Sequence, residues 1–272
     1  MKLVTYSVGS GTPEVGVLEG NEIRPLGHES MLDFIGHGGS PEPGEDVVGL
    51  GEVRLHAPVP NPQKVICIGL NYEDHAEETG AAIPEKPIVF AKYANSIVGH
   101  GDPIVIPPIT SQVDYEAELA VVIGRTARNV SESEALEHVY GYTNANDVSA
   151  RDIQLGEGGQ WTRGKAIDTF CPLGPYLVTG DEVEDPQDLS IRCTLNGEVV
   201  QDGRTDRMIF SVAEIVAFLS TGMTLFPGDV IITGTPPGVG MARDPQLWMK
   251  PGDEVTIEIE GLGALTNPVE AE

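Results

Sequence analysis

The sequence predicts an α+β fold that is mainly β, and three observations carry that prediction. Short apolar runs bounded by Gly, Pro and Asn recur along the chain. Helical signatures are confined to a few short segments, and helices and strands do not alternate as a doubly wound sheet or an α/β barrel requires. With 272 residues the chain can form one large domain, or one large domain with a small appendage, and can bury a substantial core.

Taken in order, residues 1 to about 57 read as a small N-terminal α/β unit. Strands are expected at Lys2 to Val8, Glu14 to Leu18 and Glu22 to Arg24, separated by glycine turns, with a short helix over Met31 to Ile35. The glycine-rich stretch 36–51 reads as a loop, and Pro58, Pro60 and Pro62 as a stiff connector into a main body covering 58–272. That body opens with an apolar strand, Lys64 to Leu70. Asn71 is placed to cap a helix over Tyr72 to Thr79, stopped by Gly80. Strands follow at Ile88 to Lys92, Ile104 to Pro107 and Val113 to Gly124.

Two capping boxes mark helix starts. Ser131 with Glu134 predicts a helix over Glu132 to Tyr140 ending at Gly141, and Ser211 with Glu214 predicts one over Val212 to Thr221 ending at Gly222. Further strands are expected at Tyr176 to Val178, Ser190 to Leu195, Val230 to Thr233 and Glu254 to Ile259, with a hairpin turn at Asn196-Gly197.

Sixteen basic residues against forty-two acidic ones give a formal charge of −26, which excludes nucleic acid and anionic membrane as natural partners. The acids are spread along a chain of ordinary hydrophobic content, as on a halophilic surface where salt screens self-repulsion, with a merely acidic mesophilic protein as the alternative. Three scattered cysteines, Cys67, Cys171 and Cys193, suit a reducing compartment. Neither a secretory leader nor a run of about 20 apolar residues is visible, so a cytoplasmic location is expected.

The chemistry concentrates in four places. Glu116 and Glu118, two apart on an apolar strand, fall on one face. Buried like charges must be resolved by a proton, by an arginine or by a bound cation. With Asp147 they form an all-oxygen set suited to Mg²⁺ or Mn²⁺, with Ca²⁺ possible, although solvated or salt-bridged acids explain the same spacing. His75 and Glu78, three apart, share a helix face, where a carboxylate can fix an imidazole for proton transfer or be an ordinary surface pair. This short helix, followed by loop, has the look of a lid. Lys165 can serve as an oxyanion partner or a solvated charge, and the Thr233–Gly240 loop can cradle an anion or be a tight turn.

These motifs together resemble the fumarylacetoacetate hydrolase family. The resemblance rests on Ile68-Gly69-Leu70-Asn71-Tyr72 with His75 and Glu78, on Tyr115-Glu116-Ala117-Glu118-Leu119, and on Asn146-Asp147 through Gln154. It continues through Gly164-Lys165 to Phe170 and Thr233-Gly234-Thr235-Pro236, covering about 58–268 in unbroken order. It implies a mixed β-sheet roll, usually a homodimer, binding Mg²⁺ or Mn²⁺ through Glu116, Glu118 and Asp147. It further implies His75 and Glu78 as a water-activating dyad, Lys165 as the oxyanion donor, and Gln154 and Thr235 as holders of the substrate. Some members carry a basic residue where this chain has Leu70.

The expected activity is hydrolysis of the C–C bond of acylpyruvate-type 2,4-dioxo acids, such as fumarylpyruvate, in aromatic catabolism. The alternatives are isomerisation or decarboxylation of 2-hydroxy-diene-dioates or oxaloacetate, and hydrolysis or dehydration of a 2-oxo-3-deoxy sugar acid. A protein that uses Ca²⁺ for folding alone is the non-enzymatic alternative.

Overall fold

The computed structural model describes residues 1–40, 42–156 and 158–272. Its centre is the strand Ala117–Ile123, whose seven residues are all buried. A strand covered on both faces reads as a continuous apolar run, and here Glu118 is the one acid within it. Antiparallel neighbours flank it, Val139–Asn146 on one side and Val230–Ile232 on the other.

Strands continue outward on both sides to make a twelve-stranded mixed sheet. In one direction Val230–Ile232 pairs in parallel with Val65–Gly69, which pairs antiparallel with Ile88–Lys92. In the other, Val139–Asn146 pairs with Cys171–Thr179, and that strand pairs with Lys2–Val8. The N-terminal strands Glu14–Glu19 and Glu22–Pro25 extend the same sheet. A five-stranded sheet of Glu198–Arg204, Ser190–Leu195, Glu254–Ile259, Gly263–Ala271 and Ile104–Ile106 packs against its centre. Leu119, Val121 and Ile123 meet Ile191, Val255 and Ile257 in the main apolar core. A mixed, strand-rich α+β architecture is what the sequence predicted.

Several local expectations are corrected. The segment from Val113 is not one strand: Val113–Asp114 pairs with Ser149–Ala150, and the chain breaks at Tyr115 and Glu116 before Ala117. The helix at Glu132 keeps its capping box but ends at Ala135, followed by a 3₁₀ turn over Leu136–His138. Val139 to Asn146 then form a strand, because β-branched and aromatic residues there find partners on both edges. Gly141 is not a helix stop. A Cβ there would lie 2.1 Å from the Val178 carbonyl oxygen, so the glycine permits close strand approach.

Asn71 does not cap the helix that follows it, which runs Glu73–Thr79 from Tyr72 without a side-chain cap. Its amide instead donates to the carbonyls of Thr233 and Phe210 and accepts from the Phe210 N–H. The expected 36–51 loop contains a short strand, Val48–Gly49, and a 3₁₀ turn; Pro41 within it lies outside the described residues. The helix Val212–Ser220 and its capping box form as predicted. So does the Asn196-Gly197 hairpin, both residues taking positive φ.

Candidate active site

Glu116 and Asp147 are brought together by the backbone. The Asp147 N–H donates to the Glu116 carbonyl at 2.9 Å, and the Glu116 N–H donates to Asn146 Oδ1 at 3.0 Å. Glu118 follows on the central strand, and the Gly234 N–H donates to its carboxylate. Gly234 has φ +98 and lies against Asn71, so a side chain at this position would be both strained and obstructed. One ligand oxygen from each of Glu116, Glu118 and Asp147 lies within 4.8 Å of the others, and all three residues are buried. The strand periodicity that suggested the pair is interrupted at Glu116, but the cross-strand tie to Asp147 restores the convergence.

Three basic side chains, also buried, surround these acids. Lys165 Nζ bridges Glu116 and Asp147, the latter at 2.6 Å. Arg151 spans Asp114 at 2.9 Å and Glu116 at 2.6 Å, and its third nitrogen reaches Gln154 Oε1 at 3.0 Å. Lys92 donates to the carbonyls of Val148, Lys165 and Phe170, and its Nζ lies 2.7 Å from Asp147 Oδ1.

The like-charge problem is therefore divided among its possible solutions. Burial pushes the Glu116 carboxyl up, but Arg151 and then Lys165 outweigh it and hold the group well below the usual carboxylate range. Burial would lower the Lys165 ammonium, yet Asp147 and Glu116 keep it above its ordinary value. Among the described residues, no Lys or Arg nitrogen lies within ion-pair distance of Glu118. Burial, followed by Asp147 and Glu116, pushes its carboxyl well above the usual range.

This arrangement fits a metal ion. Asp147 Oδ1 is buried without a hydrogen-bond partner, although Lys92 lies beside it. Four buried acids (Asp114, Glu116, Glu118, Asp147) face three buried bases (Lys92, Arg151, Lys165), so full ionisation leaves one excess negative charge. A buried carboxylate with no basic partner, Glu118, beside two further convergent carboxylates is what a hard cation relieves.

Glu116, Glu118, Asp147, Arg151 and Lys165 line a cavity of about 180 Å³ shared with His75, Gln154, Thr235 and an apolar wall that includes Leu70, Phe90 and Trp161. His75 Nδ1 lies 3.3 Å from Glu78 Oε2, and Glu78 Oε1 accepts the Gly238 N–H at 2.9 Å. The helix Glu73–Thr79 is pinned at its start, where Arg207 pairs with Glu73 and Asp74. Every candidate residue except Glu78 lines this cavity, and Glu78 reaches it through His75. The Thr235 hydroxyl already donates to the Ala117 carbonyl and accepts from Gln201 Nε2. A more open depression of about 810 Å³ is larger, but the acid and base cluster lies in the smaller cavity.

Sequence reasoning passed over Arg151, Lys92 and Asp114. The available signal was a basic residue closing the apolar strand Ile88–Lys92, and an arginine immediately after Val148-Ser149-Ala150, in a chain with few bases to spare. The three cysteines are buried and free, and burial pushes the Cys171 thiol up to about 12, as expected for packed apolar groups.

Residues 64–270 match the fumarylacetoacetate (FAA) hydrolase C-terminal family, so the chain belongs to the fumarylacetoacetate hydrolase family of enzymes. It is 45% identical to the mitochondrial oxaloacetate tautomerase of Xenopus laevis, over 99% of this chain and 90% of that protein. The 2-hydroxyhepta-2,4-diene-1,7-dioate isomerase of Mycobacterium marinum superposes with a TM-score of 0.85 at 40% identity, covering 100% of this chain and 99% of the other. A fumarylacetoacetate hydrolase from Exiguobacterium antarcticum superposes with a TM-score of 0.91 at 41% identity over the whole of both chains.

The cytoplasmic expectation is corrected by the same findings, because the vertebrate tautomerases similar to this chain are mitochondrial proteins. Free thiols suit a mitochondrial matrix as well as a cytosol, so cysteine usage could not separate the two. No helix among the described residues is long and apolar enough to cross a membrane.

Proposed function

We propose that this chain is a divalent-cation-dependent tautomerase or isomerase of short 2-oxo acids, acting on the enol and keto forms of an oxaloacetate-type dicarboxylate. The observation that carries the reading is the 45% identity to an oxaloacetate tautomerase across 99% of the chain. The cavity supports it physically. At about 180 Å³ it is below the roughly 300–1,000 Å³ of sites for drug-sized ligands, which suits a small acid better than a long acylpyruvate.

Tautomerisation breaks an enol O–H bond and forms a C–H bond at the neighbouring carbon, with no water consumed and no fragment lost. The site therefore needs a proton carrier and a means of holding negative charge on the substrate oxygen. With Nδ1 of His75 held by Glu78, Nε2 is the nitrogen free to take and return a proton. The Lys165 ammonium, kept charged by Glu116 and Asp147, donates to the developing oxyanion. Arg151 and Gln154, tied to each other, orient a substrate carboxylate. Glu116, Glu118 and Asp147 would hold Mg²⁺ or Mn²⁺, which supplies Lewis acidity toward the substrate's oxygens.

Hydrolysis, favoured by the dyad when the residues are read alone, requires in addition a water delivered to a carbonyl carbon. The same His75 and Glu78 can move a proton without it. The reading further takes residues 1–57 as a small N-terminal domain, 58–272 as the catalytic domain, and the protein as a homodimer. Light scattering should give twice the 28.9 kDa chain mass.

The test is an assay of enol-oxaloacetate with Mg²⁺ or Mn²⁺, following the enol absorbance and CO₂ release together. Accelerated loss of the enol band without CO₂ is the expected result. Pyruvate and CO₂ as the products, or cleavage of acylpyruvates in place of tautomerisation, would overturn it.

A further inference from the structure

Away from the cavity, a second group of metal-ligating atoms converges around the short helix Met31–Gly36. His28 Nδ1 lies 2.8 Å from Asp33 Oδ2, and His37 Nδ1 lies 3.2 Å from Asp33 Oδ1. The three ligand atoms are all within 4.8 Å of one another. Tetrahedral ligands about 2.0–2.1 Å from Zn²⁺ stand roughly 3.3–3.4 Å apart, so the two His–Asp spacings need only a small expansion, while the two imidazoles, whose ring centroids lie 6.1 Å apart, turn toward a shared point.

The group is held from both sides. His28 packs edge-on to Phe34 at 5.2 Å, and Phe34 packs edge-on to Tyr140 at 6.2 Å. Beyond His37 the chain folds back so that the Tyr140 hydroxyl donates to the Gly39 carbonyl at 2.7 Å. Gly39 has φ +59, and a Cβ there would collide with the Tyr140 ring, which fixes this return path. Asp33 is oriented by the Ser30 cap, whose hydroxyl accepts its N–H at 3.1 Å. None of the three ligands lines the active-site cavity.

We propose that His28, Asp33 and His37 form a second cation site, for a borderline transition metal of the Zn²⁺ class rather than for Mg²⁺ or Mn²⁺. The donor set decides the class: two imidazoles and one carboxylate suit Zn²⁺, Co²⁺, Ni²⁺ or Cu²⁺, whereas the buried triad offers oxygen alone. Three protein ligands leave a fourth position for water. Each imidazole binds through Nδ1 as the Nε2–H tautomer, and His37 gives up its 2.8 Å contact to the Asp33 carbonyl. The chain's charge of −26 draws cations toward such a surface. A metal here clasps the two ends of the helix and pins the start of the glycine-rich segment that follows it. Its role is structural, because binding to the folded state stabilises that state by mass action.

The experiment is a calorimetric Zn²⁺ titration of the full chain in saturating Mg²⁺, beside the double variant H28Q/H37Q. Zn²⁺ that enters the buried triad does so equally in both proteins. The wild type should therefore bind one more equivalent per chain, and the rise in melting temperature attached to that equivalent should be lost in the variant. Equal stoichiometry in the two proteins would overturn the proposal. The unsubstituted chain supplies an independent reading. Substoichiometric Ni²⁺ should broaden the imidazole signals of His28 and His37 first among the six histidines. Sharp signals from both, with broadening elsewhere, would equally refute it.

Discussion

The acids inside this molecule and those on its surface obey different rules. On the surface, pairs such as Arg204 with Asp188 and Arg192 with Asp202 are half-exposed, and the sequence-wide excess of acids goes largely uncompensated. Around the cavity, four acids are met by Lys92, Arg151 and Lys165, three of only sixteen basic residues in the chain. A charge in water costs little to leave unpaired, while a buried one must be neutralised, partnered or bound to a cation. Net charge is therefore a property of the solvated surface, whereas the small imbalance in the interior marks where a cation could be held.

Substitutions should separate the two regions sharply. The largest effect is expected for Glu116→Ala, which removes one of the three convergent carboxylates and strips Arg151 and Lys165 of a shared partner. Cation binding by calorimetry and turnover should disappear together, and retention of both would take Glu116 out of the site. His75→Ala should lower turnover by about 10²–10⁴-fold, the range of general acid–base catalysis, while cation affinity stays as in the wild type. Unchanged turnover would place the proton carrier elsewhere.

Lys92→Met tests the interior as a matter of stability. It leaves the Asp147 carboxylate without the ammonium beside Oδ1, and breaking a buried pair in this way costs about 3–5 kcal/mol. Denaturant unfolding should show that loss, and a shift below about 1 kcal/mol would mean that Lys165 alone suffices as the partner of Asp147. At the surface, Asp188→Asn should change stability by less than about 1 kcal/mol. Added KCl should raise the unfolding free energy by screening repulsion among the surface acids. A melting temperature independent of KCl would remove the halophilic reading of the −26 charge.

The same contrast explains how much was legible in the sequence. Capping boxes, the Asn196-Gly197 hairpin and apolar runs such as Ser190–Leu195 are local signals, and they were read correctly. The strand Gly263–Ala271 was missed because its pairing with Glu254–Ile259 and Ile104–Ile106 is a tertiary fact. The Glu132 helix ends earlier than its sequence predicts, because the competition from two neighbouring strands for Val139 to Asn146 is not written in its own residues. Within the site, acids announced themselves by spacing, whereas Lys92 and Arg151 looked like surface charges until their burial was seen. Asn71 has the sequence position of a helix cap, yet its amide joins the Thr233 and Phe210 segments more than 130 residues away.

On the proposed function, this interior moves a proton on a small 2-oxo acid and breaks no carbon–carbon bond. This is tested most directly by proton NMR of oxaloacetate in D₂O with enzyme and Mg²⁺. Deuterium should enter the C3 methylene faster than in the enzyme-free control, EDTA should abolish the acceleration, and the carbon skeleton should stay intact on that timescale. Enzyme-dependent pyruvate, or exchange no faster than the control, would contradict it.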